Sequence, residues 1–587
     1  MIANPTPGRS IAQHALIGDQ SCAALVASDG AVDFLCWPNF DSPSLFAGLL
    51  DPAIGGVFEL APAAPMAEAS QAYVPQTNVL VTTWTTGSGS VEVTDLMPWP
   101  LSSSFAPGTL IRRVRGEAGV VRMRLRCAPR PDDARVVPEV TLDAVGVAFA
   151  SPTFPGIRLS TLLALSVTAG EAEAEWEMQE GETLFLCLHA SSMPPPSDAA
   201  MSRALSTTIA AWRGWAGRIN VAGRWREPVI RSALALKLMV SARHGSIIAA
   251  PSFGLPESPG GARNWDYRAC WIRDGALIAN AFLRLGMAEE AAGFHAFLAR
   301  CHRLEPGRLG ILYAVDGSEI ADETELPHLA GYGAARPVRI GNGARDQLQL
   351  DIHGEFLDSL AATHAAPTNW VSICETIDYV REHWCSIDSG IWELRGGPRA
   401  HLHSRLLCWV ALDRAVLLAR GHGLSAPLAV WEATRAEIHA DIWSSFRHPE
   451  HGYFVQSAGG RDLDAAQLMM PLLGFIDGKD PIWLATLDAI TSELVADGLV
   501  WRYRNADGLP GEEGSFAPCM FWYIACLALA GRQAEAEAAM DRAVARGNAL
   551  GLFAEEIAPD GTMLGNFPQG LTHAALIETA CLLAQLS

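Results

Sequence analysis

From Arg226 onward the chain repeats one pattern twelve times. Segments near 226–241, 274–285, 288–303, 345–363, 368–384, 400–420, 425–443, 462–475, 481–494, 515–530, 533–546 and 570–585 each carry apolar residues three and four apart. That is the period of a helix with a buried stripe. No strand period stands out between them. The loops alternate in character. Some are brief, such as Leu285-Gly-Met287 and Ala530-Gly-Arg532; others are long and hold aromatic and acidic residues. Twelve helices taken as six hairpins can close into a double-layered α/α toroid, with short loops at one end and long ones at the other. Binding residues gather on loops held by a rigid scaffold, so the long-loop end is the expected site. An open α-solenoid is the alternative, but no repeat of fixed length supports it.

Residues 1 to about 200 have another texture. Short runs such as Val79–Trp84, Val91–Thr94, Val121–Arg126 and Thr183–Leu188 are separated by Gly, Pro, Ser and Asp. The alternation in Val121–Arg126 is that of a half-buried strand. Many strands without intervening helices predict a β-sandwich. Residues 192–200 break the pattern, and a connecting helix is expected around Ala204–Trp215. The division is therefore 1–200 β-sandwich, 201–225 helical linker and 226–587 helical domain.

With 49% hydrophobic and 18% charged residues, 587 residues suffice for large cores. A formal charge of −21 repels phosphate backbones, which argues against nucleic acid but not against a neutral ligand. No run of about 18 apolar residues predicts a membrane span. Met1-Ile-Ala-Asn-Pro-Thr-Pro lacks the layout of a secretory signal, so a cytoplasmic location is expected. Twelve cysteines are scattered without a C-x-x-C or a zinc spacing. Those in apolar runs (Cys187, Cys408, Cys526, Cys581) read as reduced, buried thiols. No metal set and no cofactor motif emerge; Gly341-Asn-Gly343 lacks the Lys and Ser/Thr of a phosphate loop. The oligomeric state is open, and a homo-oligomer is compatible with the sequence.

The densest chemistry lies in Arg263–Asp274, where three arginines, two aspartates, two tryptophans and a tyrosine precede a helix. Charges and flat rings at a helix entrance suit a ligand that is polar with apolar faces, such as a sugar. The plain structural alternative makes Asp274 an N-cap. Further long loops are Gly390–Gly397, Tyr453–Gln456, Tyr503–Gly514, Gly551–Gly561 and Gly565–Gln569. Glu393 follows Trp392, and Glu555 follows Phe553 and Ala554. A carboxyl against an aromatic wall loses hydration and its pKa rises, as a general acid needs; a second in a wetter setting stays ionised and can deprotonate water. Glycosidic bond hydrolysis needs that division of labour. Against this, a glutamate before a helix often serves the helix dipole, as Glu512, Glu513, Glu555 and Glu556 all could. His401, His403 and His573 read as helix-face or core residues.

In these motifs the chain resembles bacterial glycoside hydrolases of family 15, the glucoamylase, glucodextranase and trehalase group. The resemblance runs nearly end to end: Ala15-Leu-Ile-Gly-Asp19, Ser28–Asp33, Cys36-Trp-Pro38, Phe40–Phe46, Trp271-Ile-Arg-Asp274, Pro337–Asn342, Gln347–Asp351 with Gly354-Glu355, Gly390-Ile-Trp-Glu393, Ala554-Glu-Glu-Ile557 and Gly565–Gln569. It implies a multidomain fold, an N-terminal antiparallel β-sandwich followed by an all-α (α/α)6 barrel.

By this resemblance Glu393 matches the general acid and Glu555 the general base. Arg273 and Asp274 match the pair that grips the non-reducing glucose, with Trp271 lining that subsite. Glu513 sits where the family places a substrate-contacting acid, though Glu512 stands where glycine is frequent. Trp392, Arg395, Trp37 and Tyr332 are weaker candidates for the pocket wall. The implied reaction is inverting exo-hydrolysis of a small α-glucoside without cofactor, releasing β-glucose. Trehalose or another small α-gluco-disaccharide is the first expectation, and malto- or isomalto-oligosaccharides are the second. A phosphorylase would need a basic phosphate pocket and lack a Glu555-type base. A non-catalytic carbohydrate sensor would be expected to have lost one of the two carboxylates.

Overall fold

The computed structural model describes residues 8–301, 303–305 and 307–586. Two antiparallel sheets build the N-terminal region, and one strand, Leu110–Ala128, belongs to both. Its first half pairs with Gly89–Leu96 and Thr183–Ala190; its second half pairs with Val57–Pro62 and Glu171–Gln179. The alternation read in Val121–Arg126 appears as buried and outward residues in turn. Both sheets feed one apolar core, with Ile17, Phe58 and Leu125 from one and Trp84, Val93 and Phe149 from the other.

Arg112 lies at the heart of this region, wholly buried. Its Nε and Nη2 donate to the two Asp95 oxygens at 2.8 and 3.1 Å, and Nη1 and Nη2 reach the Phe58 and Gly30 carbonyls at 3.0 and 2.7 Å. Removing one partner of such a pair leaves a buried charge uncompensated. Asp95→Ala is therefore expected to cost about 3–5 kcal/mol, read as a lowered urea midpoint with unchanged catalytic constants in the surviving folded fraction.

A single left-handed turn, α1 (Pro131–Ala134), lets the Asp133 carboxylate accept the Ser44 N–H at 2.8 Å. The connecting helix, α2 (Asp198–Ala216), is capped by Ser197. It buries Trp212 and Trp215 in the core of the helical region, with Trp99 of the β region stacked on Trp212 at 4.0 Å.

Among the described residues twelve helices follow: α3 (Arg226–Met239), α4 (Ile272–Arg284), α5 (Ala288–Leu298), α6 (Asp351–Ala362), α7 (Trp370–His383), α8 (Leu402–His422), α9 (Leu428–Ser445), α10 (Met469–Leu472), α11 (Pro481–Leu494), α12 (Ala517–Leu529), α13 (Gln533–Val544) and α14 (Gly570–Leu586). They sort into two kinds. α12 is buried from Ala517 to Ala528, whereas α13 buries only Ala536, Met540 and Ala543, the single stripe of a surface helix. α9 and α11 show the same narrow stripe, through Trp431 and Ile438 and through Trp483 and Ile490. The buried set forms a chain of neighbours: α4 on α6, α6 on α8, α8 on the turn Ala465–Leu468 that leads into α10, that turn and α10 on α12, α12 on α14, and α14 back on α4.

Three expected helices are shorter than read, and the one at 288–303 ends at Leu298, with Arg303–Glu305 a strand. The one at 462–475 is a 3-10 turn, Ala465–Leu468, followed by the single turn α10. Asp464 caps that turn, and Pro471 inside α10 supplies no donor to continue it. The helix expected from 345 begins at Asp351, because Gly343–Asp346 is a 3-10 turn capped by Asn342. Short strand pairs also lie between helices, most usefully a three-stranded set of Ser515–Phe516, Glu556–Ile557 and Met563–Leu564. Among the described residues no helix is long and apolar enough to cross a membrane, and no disulfide joins the cysteines. Cys187, Cys408 and Cys526 are buried and Cys581 is half-buried.

Candidate active site

The loops that lead into the buried helices converge on one pocket of about 860 Å³, counted to its open mouth. Trp271, Arg273 and Asp274 line it from the start of α4, Trp392, Glu393 and Arg395 from the loop before α8, and Arg502, Tyr503 and Asp507 from the loop before α12.

Glu393 is part-exposed, with 22% of its side chain accessible. Its Oε1 accepts from Trp271 Nε1 at 2.9 Å and Arg273 Nη2 at 3.3 Å. No bond to Oε2 is found among the described residues, which leaves that oxygen to the pocket. Glu393 also carries φ +57°, a left-handed conformation that costs a non-glycine residue free energy and is held by its surroundings. One restraint is the Gln347 amide, which donates to the Glu393 carbonyl at 3.2 Å.

Glu555 is wholly buried beside the pocket. Its backbone N–H reaches the Asn566 carbonyl at 3.1 Å and its carbonyl accepts from Ala517 N at 2.9 Å, so it is fixed between two loops. Oε1 accepts the Tyr267 hydroxyl at 2.5 Å and Oε2 the Asn566 N–H at 3.1 Å. Gly565 has φ +71°, and a Cβ there would lie 2.5 Å from Glu555 Oε2, so the backbone conformation and the carboxylate both require glycine. Burial, then the charge of Glu257, push the Glu555 pKa up to about 8 against the Tyr267 bond and Arg502. Its carboxylate is dry, and the Tyr267 and Asn566 donors oppose the upward shift without cancelling it. Tyr267 joins the two carboxyls. Its hydroxyl meets Glu555, and its ring meets Trp271, the donor to Glu393, edge-on at 5.4 Å.

Arg273 is buried and firmly charged by Asp274, Asp351 and Glu393. It donates to Gln349 Oε1 at 3.0 Å. Asp274 is not an N-cap: α4 starts at Ile272, so Asp274 is the third helical residue. Burial raises its pKa to about 6, with Arg273 opposing. Trp392 lines the pocket with its indole N–H on Asp464 at 2.8 Å.

Three expected wall or contact residues stand elsewhere. Trp37 is buried in the β region, edge-on to Phe154 at 5.7 Å and against Gly108. Tyr332 sits in a 3-10 turn with its hydroxyl bonded to the backbone of Ile11 in the β region. Glu513 lies behind the pocket wall, its oxygens taken by Arg502 Nε and Nη2 at 3.0 and 2.6 Å and by Arg263 Nη1 at 3.1 Å.

Arg502 and Glu257, which the sequence reading had not named, join the site in the structure. Arg502 lines the pocket with Nη2 among Glu257, Glu513 and Glu556 at 3.4, 2.6 and 2.9 Å. Those three carboxylates offer oxygens within 4.8 Å of one another, and Arg502 is the cation standing among them. Arg263 chelates Asp507 at 2.6 and 3.0 Å. Burial raises the pKa of Glu257 and of Glu556. Such crowded acids share protons as a set. His573 is a core residue, bonded to Ser232 Oγ at 2.9 Å and held neutral by burial.

Glu393 lies open on the wall of this pocket and Glu555 is buried behind Tyr267 of that wall, two separately held carboxyls among rings and guanidinium groups, the equipment of a glycoside hydrolase. The family model for glycosyl hydrolases family 15 matches residues 223–581, and that for the trehalase-like N-terminal domain matches residues 5–185. The chain belongs to glycosyl hydrolases family 15. It is 37% identical to the trehalase of Mycobacterium tuberculosis, over 98% of this chain and 90% of that one. It is 35% identical to the trehalase of Thermoplasma acidophilum, over 95% and 97%. A bacterial glucoamylase crystallised with acarbose has the same fold, with a TM-score of 0.75 at 13% identity over 100% of this chain and 96% of that one.

Proposed function

We propose that this glycoside hydrolase is a trehalase that cleaves α,α-trehalose by single displacement with inversion. The observation that carries the mechanism is the pair of carboxyls, one part-exposed and one buried, coupled through the Tyr267 and Trp271 rings. The substrate rests on the similarity to trehalases over nearly the whole chain. The scaffold is an N-terminal β-sandwich and an (α/α)6 barrel, α4, α6, α8, α10, α12 and α14 forming its inner ring; their neighbour order supports that closure.

Protonated Glu393 gives its proton from Oε2 to the glycosidic oxygen as the bond to the anomeric carbon breaks. Ionised Glu555 takes a proton from water, which attacks that carbon from the opposite face. Inversion expects the carboxyls about 6.5–9.5 Å apart. Arg273 and Asp274 hold the terminal glucose hydroxyls, which fixes the reacting carbon. Arg502 offers charge to a second set of hydroxyls.

The test is a panel of trehalose, maltose, isomaltose and maltotriose with proton NMR of the first product. Trehalose should turn over fastest and yield equal α- and β-glucose initially, since only one of its two rings inverts. α-Glucose alone from trehalose would refute inversion, and faster turnover of maltose or isomaltose would refute the substrate.

Tyr267→Phe checks the base. Glu555 acts only when ionised, so kcat/KM falls as pH drops through its folded pKa. The Tyr267 hydroxyl favours the ionised form, and its loss raises that pKa. The acid limb of the profile should therefore move to higher pH in Tyr267→Phe, and in the parent it should lie above the ordinary carboxylate range.

A further inference from the structure

The mouth of the pocket carries a clasp that the reaction does not use. Glu323 belongs to the loop between α5 and α6. Its Oε2 accepts from Gly343 N and Arg395 Nη2, both at 3.1 Å, and its Oε1 faces Arg339 Nε at 3.5 Å. The Arg395 guanidinium lies over the Trp265 ring at 4.3 Å from its centroid, and that of Arg339 at 5.3 Å. The Trp265 indole N–H is itself tied to Glu257 Oε1 at 3.0 Å. Three loops, carrying Trp265, Glu323 and Arg395, are thereby fastened together, while Trp265 and Arg395 line the pocket.

The placement defines which sugar this clasp meets. Arg395 is two residues beyond Glu393, and a general acid stands on the leaving-group side of the scissile bond. Arg395 is also the more solvent-facing of the two, with 37% of its side chain exposed against 22% for Glu393. The clasp therefore stands outward of the leaving glucose. An indole face there is the natural platform for another sugar ring, and a guanidinium stacked on an aromatic face occupies that platform. Glu323 holds the guanidinium in place by charge and by geometry.

Building on the hydrolase reading above, we infer that Glu323, by pinning Arg395 over Trp265, restricts this enzyme to disaccharides by denying a binding platform to a third sugar. Glu323 is a positioning residue here and touches no reacting atom.

The experiment compares kcat/KM for trehalose with that for trehalose extended by one α-1,4-linked glucose, in the parent and in Glu323→Ala and Arg395→Ala. The parent should strongly prefer trehalose. In either variant the ratio of extended to plain substrate should rise at least tenfold, chiefly through a lower KM for the extended sugar. A ratio unchanged in both variants overturns the inference, as does a parent that cleaves both sugars equally well. A merely structural role would lower both rates together and leave the ratio where it was. If Glu323→Ala fails to fold, Glu323→Gln keeps the Gly343 bond and weakens the hold on Arg395, with the same ratio as readout. Should the parent ignore trehalose and cleave maltose, the substrate reading fails but the clasp is still tested, with maltotriose against maltose.

Discussion

Glu393→Gln is expected to lower kcat on trehalose by about 10²–10⁴-fold, the worth of a positioned acid. The fold should survive. Gln keeps a side-chain oxygen for Trp271 Nε1 and Arg273 Nη2, so thermal unfolding should be close to that of the parent. The loss should also depend on the leaving group. The fluoride of α-glucosyl fluoride departs as an anion without needing a proton, so the variant should retain far more of its turnover on α-glucosyl fluoride than on trehalose. Equal losses on the two substrates would remove Glu393 from the acid's role.

Glu555→Ala is the companion experiment and should lose a similar factor, about 10²–10⁴-fold, on trehalose and on the fluoride alike, because both need activated water. Removing the carboxylate also opens space beside Gly565 and frees the Tyr267 hydroxyl. A small anionic nucleophile such as azide needs no base. Added azide should restore turnover and yield β-glucosyl azide. An α-linked azide would place the attack on the wrong face and sink the inverting scheme.

Much of this architecture is visible in the residues themselves. The twelve helices follow from apolar spacing, because each must bury a stripe or be buried all round. α12 shows how strong that signal is, with every position from Ala517 to Ala528 inside. The failures have local causes. At 462–475 the apolar residues are present, but Asp464 and Pro471 dictate a 3-10 turn and one short helical turn instead.

The site was legible where chemistry is concentrated along the chain. Arg263–Asp274 supplies Arg263, Trp265, Tyr267, Trp271, Arg273 and Asp274 to the pocket. Within it Trp271, Arg273 and Asp274 stood out as pocket residues, but Tyr267 did not, since nothing in the order of residues says its hydroxyl reaches Glu555, 288 positions away. Arg502 and Glu257 escaped for the same reason: their meaning lies in one another, across 245 positions. Trp37 and Tyr332 erred in the opposite direction. An aromatic residue in a motif is as often a core or anchoring residue as a wall, and only packing separates the two.

The return of α14 onto α3 and α4 has a consequence for the order of assembly. The helix that completes the neighbour chain is made of residues 570–586, while its partners lie about three hundred positions earlier in the chain. Contacts of such separation pay their loop-closure entropy before they return any stabilisation, and so form late. Glu555 and the strand that follows it lie just ahead of α14, so the residue proposed as base takes its place with that late closure. A chain whose α14 has not yet closed onto α3 and α4 thus lacks, in place, the carboxylate proposed here to activate water.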